Sequence, residues 1–253
     1  MGAPRRNRSA LLLATTVVVA IGAGLTVRHL FAAHVGAASV PPRASKPAPG
    51  GGPETVLRVP HTPGAISLDG DTDDPGWINA PGPARTGDFL MADGTPARPF
   101  SEVRLVWGDG YLYLALYAAD EDIETRTTEA DGPLWLDDEF RVVFSRGEVE
   151  YAIEVSPKGV ITDSVRSGGG RWDYTWNSGV HDSVEIDGNV NDPKNMDEEW
   201  AVEMAVPFES LGMKGEPGES IGMTVTRCDT PKLSPRVCTS WGDGEARGRL
   251  VLR

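Results

Sequence analysis

Carboxylate side chains crowd one short stretch of the chain, SLDGDTDDPGW, at residues 67–77. Asp69, Asp71 and Asp73 have the alternate spacing of the first three calcium ligands in an EF-hand loop. That loop also needs glycine at its sixth position and glutamate at its twelfth, where this chain has an aspartate and Ala80. The stretch therefore fails as an EF-hand, and we interpret it as a first strand with a tight turn.

Tryptophan side chains are the second chemical signal. Aromatic rings bind sugars, because the C–H surfaces of a sugar are apolar while its hydroxyl groups need polar partners at the edges. Trp77, Trp107 and Trp200 lie in regular apolar patterns and are predicted to be structural. The remaining four tryptophans lie in or beside predicted loops: Trp135, Trp172, Trp176 and Trp241.

No catalytic centre can be read from the sequence. Glycoside hydrolysis needs two carboxylates across a cleft, but with 37 acidic residues some pair will always be available. A histidine base would have to be His61 or His181. Gly-x-Ser-x-Gly, phosphate-loop and HExxH motifs are absent from the sequence. We therefore predict a protein that is not an enzyme.

The net charge and the cysteine content limit which ligands and which cell compartment are expected. The net charge of −13 predicts repulsion of nucleic acid and leaves cations or neutral molecules as ligands, although the charge could serve solubility alone. The two cysteines, Cys228 and Cys238, are predicted to form a disulfide in an oxidising compartment, the alternative being two free thiols.

The first 53 residues are predicted to be an export leader and a linker. Residues 1–35 begin with three arginines and continue into an apolar run at residues 10–27, which fits a signal peptide or a membrane anchor. Fifteen of the eighteen residues at 36–53 are Ala, Gly, Pro or Ser, as in a linker. Residues 54–253 are then one extracytoplasmic domain in the periplasm, at the cell surface or secreted, with membrane contact through the leader only.

The domain has the pattern of an all-β fold. EVRLVWGDGYLYLALYAAD alternates apolar and polar residues around an Asp-Gly turn, which predicts a hairpin. PFESLG alone suggests a helical turn. Further strands are predicted at short, regular intervals: EFRVVFS, VEYAIEVSP, GVITDSV, EWAVEMAVPF, SIGMTVTRCD and GRLVLR. The spacing predicts an antiparallel β-sandwich of two sheets, jelly-roll or immunoglobulin-like.

In this order the stretches resemble the family 9 carbohydrate-binding modules, over nearly all of residues 65–252. The matching pieces are SLDGDTDDPGW, VRLVWGDGYLYLALYAADEDI, LWLDDEFRVVFS, YAIEVSPKGVITDS, EEWAVEMAVPFESLG, IGMTVTRCD and a tryptophan followed by Gly-x-Leu-x-Leu. The resemblance implies a monomeric sandwich that binds a polysaccharide or oligosaccharide outside the cell without catalysis. An accessory module acting with a separate glycoside hydrolase is the alternative.

The resemblance also implies site residues. Trp135 matches one of two tryptophans that sandwich the sugar in this family, and Trp241 lies near the loop that carries the second. That loop is shorter here, so Trp172 and Trp176 could substitute, or they could pack their loop onto the sandwich. Asp138 and Arg227 match positions near the binding end, as sugar contacts or as a structural ion pair.

Two cofactors follow from relatives of this family. Some members bind calcium, for which Asp120 and Asp122 in AADEDI are candidates, with a solvated turn as the alternative. Related DOMON-type sandwiches bind haem for electron transfer, with His181 and a methionine as candidate axial ligands here. Met204 and Met223 lie in strand patterns and are more simply core residues.

Overall fold

A computed structural model describes residues 55–192, 194–231, 235–242 and 248–253. All of these residues belong to one compact unit. Within those ranges no helix is both long enough and apolar enough to cross a membrane. The predicted leader, linker and boundary at residue 54 lie outside the described residues.

Twelve strands run through the described part of the chain. In chain order they are β1 (Thr55–Val59), β2 (Ala84–Arg85), β3 (Ser101–Gly108), β4 (Tyr111–Ala119), β5 (Glu139–Arg146), β6 (Val149–Val155), β7 (Ile161–Ser167), β8 (His181–Asp187), β9 (Glu199–Pro207), β10 (Ser220–Asp229), β11 (Val237–Trp241) and β12 (Gly248–Leu252). One short α-helix, α1 (Pro75–Ile78), and two 3₁₀ turns, Leu134–Leu136 and Phe208–Leu211, complete the set.

The strands form two sheets. The seven-stranded sheet has the order β1-β12-β10-β5-β6-β7, with β11 also paired to β10, and the five-stranded sheet has the order β2-β3-β4-β9-β8. Only β1 and β12 pair in parallel among these strands. The antiparallel β-sandwich predicted from the spacing of the strands is confirmed.

The two sheets enclose one main apolar core. Phe140, Phe144 and Trp200 are fully buried in it, and Trp107 packs in the same cluster. Trp77 is buried in a second, smaller cluster with Val106, Ala115 and Ala80. The three tryptophans predicted to be structural are therefore all core residues.

The opening stretch at residues 67–77 differs from its prediction. It is not a strand: the first strand is β1, and residues 67–74 lead into α1 without regular structure. The carboxylate of Glu203 on β9 accepts the backbone N–H groups of Asp69 at 2.9 Å and Gly70 at 3.0 Å. Because a side chain takes these donors, the segment lies over the five-stranded sheet instead of adding a strand to it.

The predicted disulfide is confirmed. Cys228 on β10 and Cys238 on β11 are bonded and lie directly opposite each other in the antiparallel register. The bond therefore ties the end of β10 to the strand that follows the intervening loop.

Candidate functional site

Trp135 lies in the 3₁₀ turn that connects β4 to β5. Its side chain is 54% exposed, and that of Leu136 is 58% exposed. Leu134, at the start of the same turn, is fully buried. The turn is therefore anchored by one apolar residue and presents the next two, one of them an indole ring, to solvent.

Asp137 fixes the segment that runs beside this turn. One carboxylate oxygen accepts the backbone N–H of Arg126 at 3.0 Å, and the other accepts that of Thr127 at 2.8 Å. The Thr125 hydroxyl donates to the same carboxylate at 3.3 Å. Asp137 is fully buried, so its role is to hold the backbone that faces Trp135.

Asp138 acts in the same way on a second segment. Its two oxygens accept the backbone N–H groups of Glu124 and Thr230, each at 2.6 Å. Burial and the nearby Asp120 carboxylate raise the pKa of Asp138 to about 8. The structure places this predicted ligand contact inside the protein, where it joins the Trp135 turn to the end of β10.

A cleft of about 390 Å³ opens beside the turn. Pro133 and Leu136 give it apolar walls, while the side chain of Arg126 is 77% exposed at its edge. The residues that line the cleft are Arg126, Thr127, Thr128, Glu129, Pro133, Leu136 and Asp137. Apolar walls with a few polar groups at the rim are typical of small-ligand sites.

The outer face of β5, β6 and β7 continues from the same turn and is strongly polar. Three ion pairs lie on this face, each with 2.6 Å between nitrogen and oxygen: Arg141 with Glu154, Arg166 with Glu150, and Arg236 with Glu139. Burial and the Glu154 carboxylate raise the pKa of Glu139 to about 7. We call this surface the outer polar face.

Trp172 lies on the outer polar face. The guanidinium carbons of Arg166 and Arg141 lie 4.3 Å and 4.9 Å from its ring centroid, as in cation–π contacts. Trp176, from the same loop, instead contacts Tyr151, with 5.5 Å between ring centroids. The two loop tryptophans are thus in different surroundings, and of the two only Trp172 contacts the arginines of the outer polar face.

Arg227 is the centre of a buried charge cluster at the same end of the sandwich. It is 3% exposed and forms ion pairs with Asp120 at 2.6 Å and Asp229 at 3.0 Å. Trp200 donates its indole N–H to Asp120 at 3.2 Å. Asp138 lies next to this cluster, so the structure brings the two predicted polar residues together inside the fold.

Asp120, one of the two residues predicted to bind calcium, belongs to this cluster. Oxygens of Asp120, Asp138 and Asp229 lie within 4.8 Å of one another. The second predicted ligand, Asp122, donates its backbone N–H to Asp120 at 3.0 Å. The guanidinium of Arg227 already supplies the positive charge between two of these groups, so the donor set does not fit a calcium ion.

The remaining predicted residues lie apart from the Trp135 turn. Trp241 is 8% exposed and packs in the main core, which leaves little of its ring for a ligand. His181 is exposed on β8, whereas Met204 and Met223 are buried in the core. His181 pairs with Ala205 on β9, so its side chain lies on the opposite face of the sheet from that of Met204, which is in the core.

Sequence reasoning missed the arginines of the outer polar face. The short turn between β5 and β6 sets Arg141 opposite Glu154 in the antiparallel register. Both residues occupy polar positions in strands that alternate with period two. The pairing of charges across this hairpin was the signal that could have identified them.

Comparisons with known proteins place the fold. A proposed carbohydrate-binding protein from Bacteroides uniformis is 15% identical with a TM-score of 0.63, over 79% of this chain and 99% of that one. A family 9 carbohydrate-binding module from Caldicellulosiruptor kristjanssonii in complex with cellotriose is 13% identical with a TM-score of 0.54, over 79% and 94%. The same organism's module in complex with glucose is 13% identical with a TM-score of 0.51, over 78% and 95%.

No protein-family model matches the chain. No curated protein matches it by sequence. At 13–15% identity the likeness to the solved structures shows that the chain has the fold of the family 9 carbohydrate-binding modules.

Proposed function

We propose that this protein is a non-catalytic carbohydrate-binding module that binds a polysaccharide or oligosaccharide through Trp135. The observation that carries the proposal is an indole ring 54% exposed on a turn that buried carboxylates hold in place. Exposed tryptophans are costly unless they have a partner, and a sugar ring offers an apolar face to stack on. The fold is that of modules solved with cellotriose and with glucose.

Rigidity of the turn supports the same proposal. Asp137 and Asp138 together accept hydrogen bonds from Arg126, Thr127, Glu124 and Thr230. A platform that is fixed before binding loses little conformational entropy when the ligand arrives. The polar residues of the adjacent cleft and of the outer polar face offer donors and acceptors for sugar hydroxyl groups.

The proposed place of action is outside the cytoplasm. The Cys228–Cys238 disulfide is typical of an oxidising compartment, and the basic, apolar start of the chain is typical of an export leader. A module that acts beside a separate glycoside hydrolase is the second candidate, since the fold is shared with modules and no catalytic constellation was read from the sequence.

The test is a binding titration of the purified protein with cellotriose, glucose and a panel of insoluble polysaccharides. Trp135→Ala is expected to weaken binding roughly tenfold or more, because a stacked aromatic contributes on the order of 1–3 kcal/mol. Phe100→Ala is the matched control, since it removes another exposed aromatic ring, 50% exposed, which lies next to Tyr117 on β4 of the five-stranded sheet. Equal affinity of the Trp135 variant and the wild type would refute the proposed site.

A further inference from the structure

Among the residues that the structure describes, three buried polar atoms on the outer polar face have no hydrogen-bond partner. They are a carboxylate oxygen of Glu139 (Oε2), a guanidinium nitrogen of Arg141 (Nη2) and the indole nitrogen of Trp172 (Nε1). Buried polar atoms are nearly always paired, and leaving one unpaired costs roughly 1–3 kcal/mol. Three unpaired atoms on one surface therefore need an explanation.

The three residues are neighbours. Glu139 and Arg141 are two positions apart on β5, so their side chains lie on the same face of the sheet. The guanidinium of Arg141 stacks on the ring of Trp172 at 4.9 Å. The side chain of Glu139 is only 7% exposed, so bulk solvent does not reach its free oxygen.

Glu139 and Arg141 each use one polar atom in an ion pair and have another polar atom without a partner. The other oxygen of Glu139 accepts from Arg236 at 2.6 Å, and another nitrogen of Arg141 donates to Glu154 at 2.6 Å. What remains is one acceptor and two donors. A hydroxyl group matches this set, because it can accept from a guanidinium or an indole N–H and donate to a carboxylate.

We infer that Glu139, Arg141 and Trp172 form a subsite for a hydroxyl group of a bound saccharide, which the Trp172 side chain covers in the unliganded protein. The inference rests on the proposed function. Glu139 begins β5, four residues after Trp135, so the subsite lies on the strand that follows the Trp135 turn. Each cation of this face is matched by a carboxylate, which favours a neutral saccharide over an acidic one.

The cover is inferred from the burial of the three atoms together with the position of the Trp172 ring, which lies against the Arg141 guanidinium. Trp172 follows a run of three glycines at residues 168–170. Gly168 and Gly169 have positive φ of 59° and 70°, and a Cβ added at either would meet no atom within 4 Å. The turn that leads to Trp172 is therefore not packed against the sheet at these two positions.

The test is a ¹H–¹⁵N NMR titration of the full protein with cellotriose, in which each tryptophan gives one indole N–H signal. Trp172→Phe and Trp135→Ala assign the two signals of interest. We expect the Trp172 signal to exchange slowly with water in the free protein and to shift as the saccharide binds. In the Trp135→Ala protein, the Trp172 signal should stay in place at the same cellotriose concentrations.

Two outcomes separate this inference from the proposed function. If the Trp135 signal shifts and that of Trp172 does not, saccharide binding stands and the subsite is refuted, with an ordered water as the partner of the three atoms. If neither signal shifts with cellotriose or with any saccharide that the binding panel retains, the proposed function fails first, and the subsite fails with it.

A variant pair gives an independent readout. Arg141→Gln is expected to weaken saccharide binding roughly tenfold, since it removes a charged donor to the ligand. Arg85→Gln is the matched control, because Arg85 also pairs with a glutamate, Glu102 at 2.8 Å, but on the five-stranded sheet. Circular dichroism checks that both variants are folded. Equal affinity of the two folded variants would overturn the subsite.

Discussion

Trp77 and Trp172 both lie on the outer face of a sheet, but their indole N–H groups have opposite surroundings. Trp77, over the five-stranded sheet, is 3% exposed and donates to the carboxylate of Glu203 at 2.7 Å. Trp172, on the seven-stranded sheet, is half-buried between two guanidinium groups, and its N–H has no partner. The indole N–H of Trp77 is therefore hydrogen-bonded within the protein, and that of Trp172 is not.

The nearby carboxylates repeat the contrast. Glu203 accepts from Asp69, Gly70 and Trp77, so it binds its covering segment through three hydrogen bonds. Glu139 uses one oxygen for Arg236 and leaves the other without a partner. A fully bonded carboxylate under a loop indicates a structural clamp, whereas a leftover oxygen indicates room for a ligand group.

The largest expected effect is on the structural clamp. Glu203→Ala would leave the buried N–H groups of the Trp77 indole and the Gly70 backbone, and the part-buried backbone N–H of Asp69, without an acceptor. We expect the free energy of unfolding to fall by about 3–5 kcal/mol, measured by urea denaturation. Glu185→Ala, an exposed carboxylate on the neighbouring strand β8, should change it by less than about 0.5 kcal/mol. A small loss in the Glu203 variant would show that the segment is not clamped there.

The strands and the exposed tryptophan could be predicted from the sequence because their signals are local. Alternating apolar residues and an Asp-Gly turn define the β3–β4 hairpin within nineteen residues of the sequence EVRLVWGDGYLYLALYAAD. Trp135 could be placed in a loop by the same ordered pattern. The disulfide was predicted from two cysteines in a chain whose first residues are predicted to be an export leader.

The contacts that decide the roles of side chains are not local. Glu203 binds Asp69 across 134 positions of the chain, so no pattern near the opening stretch could show that its backbone donors were taken. The same holds for Trp241. Its neighbours in the sequence are typical of a loop, but its side chain packs in the core because β11 pairs with β10. Register between distant strands is set by the whole fold and not by either segment alone.

A pH titration tests the burial of Glu139 on the outer polar face. Burial raises the pKa of Glu139 from 4.5 to about 7, so the folded state holds this proton more tightly than the unfolded state. The resulting stability is fully present below pH 4.5 and is lost as the pH rises to about 7. Glu139→Gln should therefore remove on the order of 3 kcal/mol from the fall in unfolding free energy across this range. Identical slopes in the two proteins would contradict the assignment.

Replacing Trp77 and Trp172 by phenylalanine, one at a time, compares the outer faces of the two sheets directly. Trp77→Phe removes the N–H that Glu203 accepts and leaves a buried carboxylate oxygen short of a donor. We expect a loss of about 1–3 kcal/mol in unfolding free energy, from the lost hydrogen bond and the smaller ring. Thermal and urea denaturation of this variant measure the effect. A loss below about 0.5 kcal/mol would mean that the clamp depends on the backbone donors alone.

Trp172→Phe is expected to have the smallest effect on stability. The indole N–H that it removes is already unpaired, so deleting it relieves a buried donor and offsets part of the packing lost with the smaller ring. Phenylalanine keeps an aromatic face for Arg141 and Arg166. We expect the unfolding free energy to stay within about 0.5 kcal/mol of the wild type. If Trp172→Phe lowers the free energy of unfolding as much as Trp77→Phe does, the two tryptophans have the same structural role. The contrast between the two outer faces would then be refuted.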